Sequence, residues 1–247
     1  MWFNSLPAQT GKPDIRPDAP RKKGLPRLAE VLGRDLGSIG KAGLLALAAC
    51  LPAVLLVSLA LLAESLPLVL LAAAAAGWLT GPAMTGLYDT ILRALRDEPG
   101  YWWHTYRQVW KRSFRSSLLP GAAFTALWSC LLYARLAAAL AGPLLLSAVC
   151  LTACSLYFWL QSALALFENF SAQKLENCLR MAVGFLPRTL AAVAVQLLYL
   201  FILPRLGFFG LLTGLWLPSL LAIMLVYPPL EHTLDLEAKI RQVQTNR

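Results

Sequence analysis

The stretch Gly43–Ala63, GLLALAACLPAVLLVSLALLA, runs for 21 residues without a charge. A helix rises about 1.5 Å per residue, so about 20 apolar residues cross a hydrocarbon layer of about 30 Å. Soluble core helices are shorter and carry a polar face. This run therefore reads as a membrane span, residues 42–63. It stops at Glu64-Ser65-Leu66-Pro67, and a second apolar run follows from Leu68 to Leu92. Four more lie at Ser117–Ala139, Pro143–Phe167, Leu186–Leu203 and Phe208–Tyr227, the last stopped by Pro228-Pro229. The expected fold is all-α, a polytopic membrane helix bundle of about six transmembrane helices plus interfacial amphipathic helices. Leu186–Leu203 is the shortest run, bracketed by Pro187 and Pro204. Without it there would be five spans, and the C-terminus would lie on the opposite side.

Composition agrees. Of 247 residues 58% are hydrophobic and only 14% charged, against about 25% charged in soluble domains. Mean hydropathy is +0.60. The formal charge of +9 would suggest nucleic acid in a soluble chain, but its positions follow the rule that cytoplasmic loops are basic. Segments 1–41, 93–116, 168–188 and 231–247 hold 8, 6, 3 and 3 lysines and arginines; the other connections hold only Arg135 and Arg205. This split predicts both termini in the cytoplasm, with the protein in the plasma membrane.

Three regions follow: a basic arm (1–41), the membrane domain (42–230) and a cytoplasmic tail (231–247). Pro17 to Gly24 is turn-rich and contains Lys22 and Lys23. Leu25, Leu28, Leu32, Leu36 and Ile39 then recur at helical spacing, predicting an amphipathic helix on the membrane surface. No cleavable signal peptide is visible, so the first span is expected to act as its own membrane signal.

The connection after the second span is the most distinctive. Arg96 and Asp97 lead into a Pro99-Gly100 turn, and Tyr101–Leu118 follows with helical spacing. Trp103, Tyr106, Trp110, Phe114 and Leu118 recur every three or four residues; Arg107, Lys111 and Arg115 follow at i,i+4 on another face. Aromatic rings favour the membrane interface, and basic side chains favour anionic headgroups. The expected partner is the lipid bilayer, with anionic headgroups. The helix serves either as an interfacial connector or as a docking site for a transporter or sensor membrane protein. Nucleic acid is not expected, because the flanking spans hold the apolar face in lipid. With Glu168, Asn169 and Arg188, these residues make the candidate cytoplasmic surface.

Within the second span, Gly81-Pro82-Ala83-Met84-Thr85-Gly86 combines small residues with a proline. Gly81, Pro82 and Gly86 therefore mark either tight packing with a kink or a helix broken beside a cavity. Asp89 stands four residues before Arg93, at ion-pair spacing. Gln161 and Gln196 are the polar residues nearest mid-span, and no chain of Asp, Glu or His crosses the membrane. Cys50, Cys130, Cys150, Cys154 and Cys178 form no CxxC pair and read as packing residues. His104 and His232 sit in unrelated segments, and no Walker A, HExxH or GxSxG motif occurs. The expectation is a non-enzymatic protein without metal or cofactor.

Gly81–Phe114, GPAMTGLYDTILRALRDEPGYWWHTYRQVWKRSF, resembles the signature of the YesL-like family of bacterial membrane proteins. There a Gly-Pro-Ala-x-Thr-small run closes a span, an acidic turn follows, and then an aromatic-rich helix. Asp18–Gly24, Glu168-Asn169 and Asn177–Thr189 resemble further segments of that family, the first of them those of a Gram-positive subgroup. Trp110 and Ser113 depart from the usual Phe and Asn. The family is one of unknown function, whose members accompany carbohydrate uptake and breakdown. The resemblance thus implies an accessory or regulatory role in carbohydrate uptake; a small-solute transporter or channel is the alternative.

Overall fold

A computed structural model of the chain describes residues 24–96, 101–136, 143–166 and 172–245. All regular structure among them is helical. The order is α1 (Leu25–Leu62), α2 (Leu66–Arg96), α3 (Trp102–Leu136), α4 (Pro143–Leu166), α5 (Ala172–Gly184), α6 (Leu186–Leu206), α7 (Phe208–Thr213) and α8 (Trp216–Thr245). By length and composition α1 and α2 are apolar enough to cross a membrane. A third span results if α5 and α6, bent by 97°, count as one. Among the described residues no other helix meets that test by itself. The first half of α3 carries Arg107, Lys111, Arg112 and Arg115, and the apolar part of α8 ends at Leu230.

Two segments expected to lie flat on the membrane surface do not form separate helices. Residues 25–40 continue without a break into the first span, making one helix of 38 residues. Val31, Asp35, Ile39 and Ala42 are buried along it, while Leu25 and Leu36 of the expected leucine stripe are exposed. Gly33, Gly37 and Gly40 do not interrupt it. Likewise Tyr101–Leu118 runs on into the third span through Pro120, giving a helix of 35 residues. At about 1.5 Å per residue, α1 and α3 reach about 57 and 52 Å, well beyond a hydrocarbon layer of about 30 Å. The amphipathic helix that does stand apart is α5. It buries Cys178 and Ala182 and exposes Leu175, Leu179 and Val183. The last apolar segments turn twice, at Gly207 (φ 52°) and Gly214 (φ 48°), where a side chain would be strained.

Burial is uneven along the bundle. Leu51, Val54, Leu55, Leu59 and Leu62 of α1, with Leu66, Leu68, Leu70 and Leu71 of α2, are all exposed. From Thr80 to Leu95, by contrast, α2 is buried at nearly every position. There it meets Val31 and Ile39 of α1, Tyr106 of α3, Phe158 and Trp159 of α4, and Leu220, Ile223 and Val226 of α8. The exposed apolar surface gathers at the α1–α2 tip, and the protein core lies toward the other end.

That end is fastened by arginines of α1 on the open carbonyls of α2. The last four carbonyls of a helix lack intrahelical partners. Arg27 donates to Leu95 O and Arg34 to Ala94 O, both at 2.8 Å. Arg34 also pairs with buried Asp35 at 2.6 Å, and Arg27 with Glu30 at 3.2 Å. The pair expected from spacing is present: Arg93 Nε lies 2.7 Å from Asp89 Oδ2.

Candidate functional site

The α2–α3 hairpin is the most extensive helix pairing among the described residues, and its sequence explains why. On α2, Ala73, Gly77, Gly81 and Thr85 recur every fourth residue; on α3, Ser113, Ser117, Gly121, Thr125 and Ser129 do the same. Small residues at i,i+4 form a flat stripe along which two backbones can approach. A Cβ on Gly77 would fall onto the backbone of Gly121 and Ala122, and one on Gly81 would lie 2.7 Å from Ser117 O. Thr125 Oγ1 donates across the seam to Ala73 O at 2.6 Å, and Tyr106 Oη to Ala83 O at 3.1 Å. A Cβ on Gly86 would meet the Tyr106 ring at 2.7 Å.

Gly81 and Gly86 are therefore contact positions, and Pro82 lies inside one uninterrupted helix rather than at a break. The aromatic stripe expected on α3 divides. Tyr106 turns inward and is 5% exposed, whereas Trp103 and Phe114 face out at 44% and 43%. The packing face of α3 is its small-residue stripe, which the i,i+4 pattern of Ser113, Ser117 and Gly121 announces.

Beside this hairpin, α4, α6 and α8 close a cavity of about 290 Å³. Phe124 of α3 and Tyr157 of α4 stack in its wall, with centroids 3.9 Å apart and planes at 4°. Met84, Trp128, Val193 and Leu197 extend the apolar lining. The polar groups are few. Gln196 Nε2 donates to Tyr88 Oη at 2.8 Å, and Ser219 is a second polar neighbour of that hydroxyl. Tyr199 Oη and Thr213 Oγ1 lie 2.6 Å apart near the α6–α8 turn.

Gln161, wholly buried, stands next to Tyr157. Its Oε1 is 2.5 Å from Thr85 Oγ1, which is also 3.0 Å from Gly81 O. A hydroxyl has one proton and donates to one of these at a time. Gln161 Nε2 has no hydrogen-bond partner. Turning the amide over lets Nε2 donate to Thr85 and frees the hydroxyl for Gly81 O, with Tyr157 as the amide's other polar neighbour. Of the two glutamines picked out in the sequence, Gln196 lines the cavity, whereas Gln161 is buried behind its wall beside Tyr157.

The remaining candidate residues spread over the surface. Arg107, Lys111 and Arg115 are exposed along one face of α3, and Arg188 is exposed at the start of α6. Arg96 is partly buried and bonds back to Leu92 O at 3.4 Å. Lys22, Lys23, Asp97, Glu168 and Asn169 lie outside the described residues. Among the described residues no group of three or more His, Cys, Asp or Glu side chains could hold a metal ion.

These features define a helical, membrane-associated protein built on a close-packed hairpin with a cavity on its flank. Residues 66–134 match the model of the family described as Protein of unknown function, DUF624. Over this segment the chain matches that family, the YesL-like proteins. The matched segment is α2 and nearly all of α3, the hairpin itself. No curated protein matches the chain, and no solved structure does.

Proposed function

We propose that this chain is a non-enzymatic, six-span protein of the bacterial plasma membrane, with both termini cytoplasmic, that binds a small organic solute inside its helix bundle. The observation that carries this reading is the aromatic cavity with its Tyr88–Gln196 pair. Ligand pockets are concave and mostly apolar, with a few placed polar groups. Its volume of about 290 Å³ suits one small molecule. The six spans are α1, α2, the outer half of α3, α4, α6 and the first half of α8. At 21 residues α6 has the length to cross.

The lining argues about chemistry. A sugar carries many hydroxyls, each needing a partner when buried. Here the available groups are Tyr88, Gln196, Ser219 and Tyr199, and most already bond one another. A flat, largely apolar molecule with one or two hydrogen-bonding groups fits better than a sugar. A role in carbohydrate uptake would instead run through the cytoplasmic face. The second reading, an accessory protein docking on a transporter, rests on the exposed Arg107, Lys111 and Arg115. A pull-down from native membranes, read by mass spectrometry, tests it; recovery of no stoichiometric partner would count against it.

The solute-binding reading is tested by thermal-shift and tryptophan-fluorescence titration of the full chain in nanodiscs against a panel of small aromatic and amphipathic molecules. A saturable binder lost in Gln196→Leu and Trp128→Ala is expected. If no compound binds, or if those substitutions leave binding unchanged, the reading fails. Proteoliposome flux of the bound compound then separates transport from sensing.

A further inference from the structure

On the opposite flank of the hairpin, α1 and α3 leave a second cavity of about 520 Å³, and its walls change character along its length. One end is apolar and small: Leu45, Ala48 and Ala49 of α1 with Leu79 of α2. The other end is aromatic and basic, with Trp103, Trp110, Arg107 and Lys111 of α3. Arg107 and Lys111 are exposed and pair with no carboxylate among the described residues. The Trp110 indole N–H is buried without a hydrogen-bond partner. Lys41 brings a further cation to the same end, its Nζ 5.7 Å from the Trp102 ring centroid. Beyond the apolar end, α1 continues as the exposed leucine face of the α1–α2 tip.

We propose that this groove holds one anionic phospholipid of the cytoplasmic leaflet. An acyl chain lies along Leu45, Ala48, Ala49 and Leu79. The phosphate is held by Arg107 and Lys111, and the Trp110 N–H donates to a headgroup or ester oxygen. Charge complementarity selects the occupant: two cations with no acidic partner at the mouth of an apolar slot match a molecule with an anionic head and a hydrocarbon tail. The groove shares no lining residue with the solute cavity, so either proposal can fail alone.

The test is native mass spectrometry of the delipidated full chain titrated with phosphatidylglycerol, phosphatidylcholine or inorganic phosphate. The expected result is one phosphatidylglycerol bound in preference to phosphatidylcholine, surviving detergent exchange. Arg107→Gln with Lys111→Gln should weaken it about thirtyfold, taking about fivefold per charge near an anionic surface. Trp110→Phe keeps the ring, removes the donor, and should weaken it severalfold. Arg115→Gln, on the same face but outside the groove, should have little effect; all variants are checked for an unchanged melting temperature. Equal binding of both lipids, or indifference to the double substitution, would overturn the site. Displacement of the lipid by millimolar phosphate would mean a site for free phosphate. A stoichiometric protein partner lost with the double substitution, in place of lipid, would mean a docking face; either result overturns the proposal.

Discussion

Replacing Gly121 by alanine tests the hairpin seam. A Cβ there would stand 2.5 Å from Gly77 O and 3.2 Å from Gly81 Cα, both backbone atoms of α2. Restoring ordinary contact at about 3.5 Å forces the helices apart by about 1 Å. Overpacking of this kind costs about 1–3 kcal/mol. The Thr125–Ala73 bond, at 2.6 Å one turn along, would stretch with it. Such interhelical bonds contribute about 0.6 kcal/mol in a membrane. Alanine's better helix propensity offsets about 1 kcal/mol of this, leaving a net loss of about 1–2 kcal/mol. Gly33→Ala is the matched control. Gly33 is an exposed interior position of α1 with nothing within 4 Å of an added Cβ. There the same change should stabilise by up to about 1 kcal/mol. Unfolding by sodium dodecyl sulfate in mixed micelles, followed by circular dichroism, should move the two midpoints in opposite directions. Midpoints moving together, or an unmoved Gly121→Ala, would refute the close-packed seam.

Other substitutions probe the polar interior by the same assay. Arg34→Met should cost about 2 kcal/mol, because it removes the 2.6 Å ion pair with buried Asp35 and the donor to Ala94 O; a loss under about 0.5 kcal/mol would show that this cluster is solvated. Tyr106→Phe removes the bond to Ala83 O and should cost about 1 kcal/mol, and burial pushes the Tyr106 phenol up, so the cost should not vary between pH 6 and 9. Gln161→Met should be neutral or slightly stabilising, since it removes an amide with one unpaired atom while Thr85 keeps Gly81 O; a loss above 2 kcal/mol would mean that Gln161 is fully bonded in the folded protein.

Much of the helical content was legible because the apolar runs are long. Gly43–Ala63 admits almost no other reading, and the Asp89–Arg93 pair followed from spacing alone. What the sequence concealed was partnership. The leucine series of residues 25–40 has the pattern of a surface helix, and nothing local says that Val31 and Ile39 turn into the core while Leu25 and Leu36 stay exposed. The aromatic and basic residues of α3 drew attention to its outer face, while the quieter series Ser113, Ser117, Gly121, Thr125, Ser129 determined how it packs. Close approach at Gly81 was readable from α2; its counterpart on α3 was equally present in the sequence and went unread. Gln161 and Gln196 stood out as polar residues in apolar runs. The cavity beside Gln196 did not, because it joins residues as distant as Tyr88 and Gln196.

The claim beneath the rest is that the chain crosses the membrane six times. Fusions of alkaline phosphatase and green fluorescent protein placed after residues 65, 100, 141, 170, 207 and 247 test it directly. The six-span account predicts phosphatase activity at 65, 141 and 207 and fluorescence at 100, 170 and 247. Fluorescence without phosphatase activity at 141 and 207 would contradict it, leaving α1 and α2 as the membrane hairpin of an otherwise cytoplasmic bundle.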